Sequence, residues 1–136
     1  MEAIKKPKHT IDDVYSLPEG ERAELIDGNI YMMAPPSTKH QLILNDINAA
    51  IYNYIKAHKG KCKVIPSPFA VFLETEDKTT NYVEPDISVI CDPDKINEKG
   101  CQGAPDWIIE IVSPSSRKMD YVKKTNLYMN TGSIGS

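Results

Sequence analysis

The chain has few of the features that mark specialised classes of protein. Cysteine is scarce: Cys62, Cys91 and Cys101 stand among 136 residues. Their number is odd and their spacing is not that of metal ligands, so we expect three free thiols in a reducing cytosol. No apolar run approaches the ~20 residues that a membrane-spanning helix needs, and the N-terminus lacks the apolar segment of a secretory signal. We therefore expect a cytoplasmic protein that does not contact a membrane.

An excess of positive charge is also missing. The 16 basic and 19 acidic residues give a net charge of −3, so the composition offers no polycationic surface of the kind that binds nucleic acid. This counts mildly against a DNA-binding role, although acids that hold a metal ion lower the formal charge at the place where a ligand is attracted. Internal repeats and low-complexity segments are absent too. A chain of this length can bury one core, and we expect a single domain over residues 1–136.

Cap and turn residues divide the chain into helices and strands. Asp27-Gly28-Asn29 between two apolar runs predicts a hairpin turn, and Ser37 and Gly60 are typical of the start and end of a long amphipathic helix. The predicted elements are a helix at 11–16, strands at 23–26 and 30–33, a helix at 38–59, strands at 62–65, 69–74, 86–91 and 107–112, and a helix ending near Tyr128. Residues 75–81 are interpreted as a loop and residues 92–105 as a polar insertion. This order predicts an α/β or α+β domain with a mixed sheet.

Two acids stand in apolar runs that are typical of strands. Asp86 follows Pro85 and precedes Ile87, whereas Glu110 stands between Ile109 and Ile111. A carboxylate buried among such residues costs several kcal/mol unless positive charge compensates it. A divalent cation, held by oxygen ligands from two neighbouring strands, would compensate both acids.

A lysine completes the pattern. Lys124 stands 14 residues after Glu110 on a predicted helix, and an Asp, a Glu and a Lys in this order are typical of a metal-dependent nuclease. Each residue also has a simpler explanation. Asp86 could cap the turn at Pro85, Glu110 could face solvent through strand alternation, and Lys124 could be an ordinary exposed lysine.

Several motifs resemble those of the Uma-two family, a group of domains of unknown function (DUF) classed as restriction-endonuclease-like. They are Pro85-Asp86, Glu110-Ile111-Val112-Ser113, Asp120-x-x-x-Lys124-x-x-x-Tyr128, the hairpin segment Arg22–Gly28, and Pro36-Ser37-x-x-His40. The resemblance runs from about Ile11 to Gly132. The family is placed in the PD-(D/E)XK nuclease superfold. The resemblance therefore implies a restriction-endonuclease-like mixed β-sheet core flanked by helices, and a hydrolase that cleaves DNA phosphodiester bonds with magnesium.

The resemblance also implies roles for particular residues. In the superfold the lysine usually follows the second acid by two residues; that position is Val112 here, so the lysine is implied to have moved to Lys124. Asp86, Glu110 and the carbonyl of Ile111 are implied to hold Mg²⁺, with Mn²⁺ as an alternative metal.

Two more residues enter the prediction with alternatives left open. The superfold often draws a third acid from its N-terminal region, which makes Glu24 a catalytic candidate, although in a hairpin it could also face outward. His40, in the first turn of the long helix, could contribute to the site or only contact solvent or the helix cap. Asp120 and Tyr128 share one helical face with Lys124 and are expected to support it or to pack.

The end of the chain departs from the family pattern. Members usually continue after the last helix into a further strand, whereas this sequence finishes Thr131-Gly132-Ser133-Ile134-Gly135-Ser136. We therefore expect a domain that lacks its last strand or strands, and a homo-oligomer in which a second copy covers the open sheet edge. An alternative function follows from the same departure: a catalytically inactive nuclease fold that serves as a binding or interaction module.

Overall fold

The N-terminal part of the fold is organised by local caps and turns. The computed structural model describes residues 8–112, 124, 126–128 and 131. Helix α1 (Ile11–Tyr15) has Thr10 as its N-cap, and the N–H of Thr10 donates to the Asp13 carboxylate at 2.9 Å. Strands β1 (Ala23–Ile26) and β2 (Asn29–Met32) form an antiparallel hairpin. Asp27 and Gly28 both have positive φ, at 50° and 76°, as a tight hairpin turn requires. The predicted hairpin is confirmed.

Helix α2 (Thr38–Ala57) is the longest element. The Ser37 side chain caps it by accepting a hydrogen bond from His40 N at 3.1 Å. The inward face contains Leu44, Ile47, Ile51 and Ile55. From the sequence, the apolar face of this helix is predicted to contain Ile43, Ile47, Ala50, Ile51, Tyr54 and Ile55. The prediction is wrong for Ile43, Ala50 and Tyr54, which are exposed, Tyr54 by 64%. Residues three or four apart share a helical face, and Leu44 joins Ile47, Ile51 and Ile55 on the inward one.

The strands form two sheets. The strands that follow α2 are β3 (Lys63–Pro66), β4 (Val71–Glu74), β5 (Thr80–Val83), β6 (Ile87–Ile90), β7 (Ile96–Asn97), β8 (Gly100–Gln102) and β9 (Trp107–Ile109). One sheet has the order β2-β1-β5-β4-β8-β7 and the other the order β3-β6-β9. The β4–β8 pair is parallel, whereas the other pairs are antiparallel. The predicted α+β class with a mixed sheet is confirmed.

Strand β5 was not predicted from the sequence. Residues 75–81 were interpreted as a loop because they are polar, yet Thr80 and Asn81 begin β5. Asn81 is 1% exposed. Its side-chain amide donates to the Leu73 carbonyl at 3.1 Å and its side-chain oxygen accepts from Asp27 N at 2.8 Å. A polar residue is tolerated inside the sheet because its hydrogen bonds are made there.

The segment 92–105 is more than a polar insertion. It contains a short 3₁₀ helix (Pro93–Lys95) and strands β7 and β8. Gly100 has a φ of 145° and lies so close to the Ala70 carbonyl that a Cβ atom would clash with it. Only glycine permits this approach of the two backbones, and this close contact brings β8 beside β4.

The cysteine prediction was wrong for two of the three residues. Cys62 and Cys91 form a disulfide bond, whereas Cys101 is free and buried. The β3–β6 register pairs Lys63 with Ile90, so the next positions outward are Cys62 and Cys91. Their proximity depends on strand pairing, which their separation of 29 residues does not reveal. Burial raises the pKa of the Cys101 thiol to about 11.

The core lies on the sheets and reaches the C-terminal helical residues. Its buried members are Ile26, Val71, Leu73, Val83, Ile90, Cys101, Ile108, Leu127 and Tyr128. From the sequence, Tyr121, Val122 and Tyr128 are predicted to pack the last helix against the sheet. Tyr128 does so, whereas Tyr121 and Val122 lie outside the described residues. In the part of the chain that the structure describes, no helix is long and apolar enough to cross a bilayer.

Candidate active site

The pairing of β6 with β9 places two acids opposite each other. The antiparallel register matches Ile87 with Ile109, so the next pair along the same ladder is Asp86 and Glu110. Directly opposed residues point to the same face of a sheet, with Cβ atoms roughly 4.5–5.5 Å apart. Both acids line a cavity of about 650 Å³. Two carboxylates that are 24 positions apart in sequence thus meet in one site.

Asp86 is held from both sides. Its Oδ2 accepts a hydrogen bond from Ile111 N at 2.7 Å, and its Oδ1 lies 3.2 Å from His40 Nε2. The Ser37 cap fixes the first turn of α2 and so positions His40 at the cavity. The side chains of His40 and Asp86 are only 12% and 16% exposed. His40, whose alternative was a solvent contact, therefore belongs to the site by geometry.

Lys124 lies between two acids, Glu24 and Glu110. Its Nζ lies 3.0 Å from Glu24 Oε2 and 3.2 Å from Glu110 Oε2, and its side chain is 12% exposed. Glu24 Oε2 also accepts from Glu84 N at 2.9 Å, which ties the first hairpin to the end of β5. Tyr128, one helical turn after Lys124, donates its hydroxyl to Glu110 Oε1 at 3.2 Å. Glu24 thus points inward, which excludes the alternative that it faces outward from the hairpin.

Burial dominates the electrostatics of the cluster. It raises the pKa of Glu110 to about 7; the Lys124 charge opposes this rise, while the charges of Asp86 and Glu24 add to it. Burial alone would lower the pKa of Lys124, but the charges of Glu110 and Glu24 outweigh it and raise that pKa. Lys124 therefore stays charged between the carboxylates of Glu24 and Glu110, and the third carboxylate, Asp86, adds negative charge that this one ammonium does not pair.

A second ion pair lies at the edge of the same cavity. Arg22 Nε is 3.3 Å from Glu84 Oε2, and Arg22 lines the cavity with Glu24. Burial raises the pKa of Glu84, and the Arg22 charge partly offsets the rise. This ion pair was not predicted from the sequence. The signal that could have found it is the position of Glu84, directly before Pro85-Asp86 in an otherwise apolar stretch.

The donor atoms suit a hard divalent cation. Asp86 and Glu110 supply carboxylate oxygens on one face, and the negative charge of the cluster is not fully compensated. In residues 8–112, 124, 126–128 and 131, no three His, Cys, Asp or Glu side chains converge closely enough to hold a metal ion by themselves. Mg²⁺ usually keeps several water ligands, and a backbone oxygen could add to the two carboxylates, since Ile111, beside Asp86, lines the cavity. With that carbonyl, the set fits the oxygen coordination of Mg²⁺ or Mn²⁺.

The structure brings every predicted site residue to one cavity. These residues are Glu24, Asp86, Glu110, Ile111 and Lys124. The predicted supporting residue Asp120 lies outside the described part of the chain, as do the neighbouring basic residues Arg117, Lys118 and Lys123.

Comparisons with known proteins agree with a nuclease-like fold. Residues 11–133 match the family model described as "Uma2: Putative restriction endonuclease". The uncharacterized protein slr1290 of Synechocystis is 31% identical over 108 residues, which cover 79% of this chain and 54% of the relative. The chain thus spans about half the length of that relative. A crystal structure from Anabaena variabilis, described as "a putative nuclease belonging to DUF820", has a TM-score of 0.72 and 27% identity, covering 93% of this chain and 71% of the other.

Proposed function

Since the chain belongs to the Uma2 family, whose members are described as putative restriction endonucleases, we propose that its cavity is the active site of a magnesium-dependent endonuclease that hydrolyses DNA phosphodiester bonds. One observation carries the proposal. The Lys124 ammonium lies between the carboxylates of Glu24 and Glu110, and the same cavity is lined by Asp86, opposite Glu110. A buried cluster of this composition costs stability, and an Asp, a Glu and a Lys that converge in an open cavity suit phosphodiester hydrolysis.

Asp86, Glu110 and the Ile111 carbonyl would hold Mg²⁺ or Mn²⁺. When bound, such an ion lowers the pKa of a water molecule and offsets negative charge on a phosphate. Tyr128 holds one oxygen of Glu110, while the Ile111 N–H and His40 hold the two oxygens of Asp86. These contacts restrict the carboxylate rotamers, so the two acids would meet a cation without first being ordered.

Lys124 supplies positive charge to the substrate. An ammonium has three N–H donors, and its partners in the described structure are Glu24 and Glu110. One donor is left to contact a phosphate oxygen as negative charge develops there. The raised pKa of Lys124 keeps it charged at neutral pH. Glu24 acts through Lys124 and is a positioning residue.

A second function has its own support. The Asp86 oxygens already contact His40 and Ile111, and the Glu110 oxygens already contact Lys124 and Tyr128. A carboxylate pair that is satisfied by protein groups does not need a metal ion. The alternative is therefore a nuclease fold that binds its partner without turnover.

Cleavage of mixed-sequence DNA in Mg²⁺ or Mn²⁺ tests the proposal. Wild type should cleave, and D86N should lose about 100-fold or more of the rate, as when one stabilising group is removed from an active site. D46N is the matched control, because Asp46 is an exposed residue on α2.

Metal binding is measured separately by thermal unfolding. Mn²⁺ at 100 times its Kd should stabilise wild type and D46N by about 2.7 kcal/mol, and D86N should lose this effect. Equal cleavage rates and equal stabilisation by Mn²⁺ for D86N and D46N would refute the proposal that this cavity is the active site. A wild type that neither cleaves nor responds to Mn²⁺ would favour the binding module.

A further inference from the structure

A basic surface lies at the end of α2 and on the turn into β3. It consists of Lys56, His58, Lys59, Lys61 and Lys63, all exposed. The surrounding segment 47–73 contains these four lysines and no acidic residue. The rest of the chain has twelve basic and nineteen acidic residues, a net charge of −7. The overall charge of −3 therefore conceals a strong segregation of charge.

The residues that the structure describes do not pair with the lysines of this surface. Within the described part of the chain, none of the four lysines forms an ion pair. Asp106 accepts a hydrogen bond from Cys91 N at 2.6 Å and Asp92 accepts one from Asp94 N at 3.0 Å, and neither acid forms an ion pair with these lysines. The lysines are thus left to attract an external anion.

Aromatic rings order part of the basic surface. Lys56 Nζ lies over the Tyr52 ring at 5.4 Å, and the His58 ring stacks on Tyr54 at 4.0 Å. Each ring already packs against a basic side chain and restrains it. Because one face of each ring already holds a basic side chain, the rings order cations for phosphate contacts and leave less aromatic area on which unpaired bases could stack. A duplex, whose bases are stacked internally, is the better match.

The basic surface is within reach of the candidate active site. Strand β3 runs from Lys63 towards Ser67, which lines the cavity, and four residues of strand span about 13 Å. Along α2, the 16 positions from His40 at the cavity to Lys56 span about 24 Å. A DNA duplex advances about 3.4 Å per base pair. These lengths correspond to roughly four to seven base pairs.

We propose that the basic surface binds the phosphate backbone of duplex DNA about four to seven base pairs from the bond that lies in the cavity. This inference rests on the proposed nuclease function. The surface would supply affinity that does not depend on base sequence, because phosphate contacts position a duplex without reading its bases.

Fluorescence anisotropy with a labelled 20-base-pair duplex in EDTA tests the surface without cleavage. The variant K59E/K61E is compared with K78E/K99E, which changes the charge by the same amount on exposed lysines elsewhere. The two double variants also match in backbone conformation, since Lys59 and Lys78 both have positive φ, at 53° and 65°. K59E/K61E should bind at least about tenfold more weakly at 100 mM salt, and its salt slope should fall by about 1.8 for two lost phosphate contacts. K78E/K99E should bind as wild type does.

Equal affinities of the two double variants, with both folded by circular dichroism, would overturn the inference. Tighter binding of a single strand than of the duplex, lost in the same variant, would overturn the assignment to duplex DNA. Cleavage by wild type with no effect of K59E/K61E on binding would reject the surface and leave the nuclease standing. Surface-dependent binding without any metal-dependent cleavage would support the surface and reject the nuclease.

Discussion

Replacing Glu110 by glutamine should stabilise the protein, and the gain should depend on pH. The ionised form of Glu110 is costly, because burial raises its pKa from 4.5 to about 7. Glutamine has nearly the same shape as a protonated glutamate and carries no charge. Lys124 would still have Glu24 as its charged partner, 3.0 Å away.

The direction of the pH dependence follows from proton binding. Between pH 4.5 and 7 the folded protein holds a proton on Glu110 that the unfolded chain has lost, so the free energy of unfolding of wild type falls as pH rises through this range. Each pKa unit is worth about 1.36 kcal/mol, so ionised Glu110 costs the fold about 3 kcal/mol above pH 8. E110Q avoids this cost. It should exceed wild type by about 3 kcal/mol at pH 8.5 and by much less at pH 4.5.

Urea unfolding in EDTA at both pH values measures the difference free of metal binding. For a chain of 136 residues, about 3 kcal/mol corresponds to a rise in Tm of roughly 10 °C. E74Q is a suitable control because Glu74 is exposed. A gain for E110Q that is the same at pH 4.5 and pH 8.5 would refute the reasoning, since it would show that ionisation of Glu110 is not what destabilises the fold.

Two further predictions concern the ammonium and the disulfide. K124M leaves Glu24 and Glu110 without their shared cation, so urea unfolding at pH 8 should show a free energy of unfolding about 3–5 kcal/mol lower than that of wild type. K124R should lose less stability. Equal stability of K124M and wild type would argue against the ion pairs. Alkylation of the denatured, unreduced protein should label Cys101 alone, and all three cysteines after reduction. Three labelled thiols before reduction would contradict the disulfide bond. The double variant C62A/C91A should lose about 3–4 kcal/mol of stability, because the bond closes a loop of 29 residues.

Local features of the chain were predictable from sequence because their causes are local. Asp27-Gly28 favours a tight turn whatever surrounds it, and Ser37 caps α2 with its own side chain. The two acids also had a local signal, since Asp86 and Glu110 each interrupt an apolar run. That interruption was sufficient to nominate them; Lys124 was nominated by its place after the two acids, and the family resemblance supported it and added Glu24.

Tertiary structure alone decided how these residues meet. Glu24 and Lys124 lie one hundred positions apart, and their 3.0 Å contact depends on the hairpin and the last helix packing on the same sheets. The Cys62–Cys91 bond depends on the β3–β6 register in the same way.

The amino-acid sequence by itself determined the turns, the caps and the identity of the acids, because backbone preferences and short-range hydrogen bonds act within a few residues. The tertiary structure decided that β5 pairs inside the sheet, that His40 contacts Asp86, and that one ammonium serves two carboxylates. The physical reason is that strand register and burial arise from contacts between distant segments. Burial, in turn, changes what each polar group costs and therefore which partner it requires.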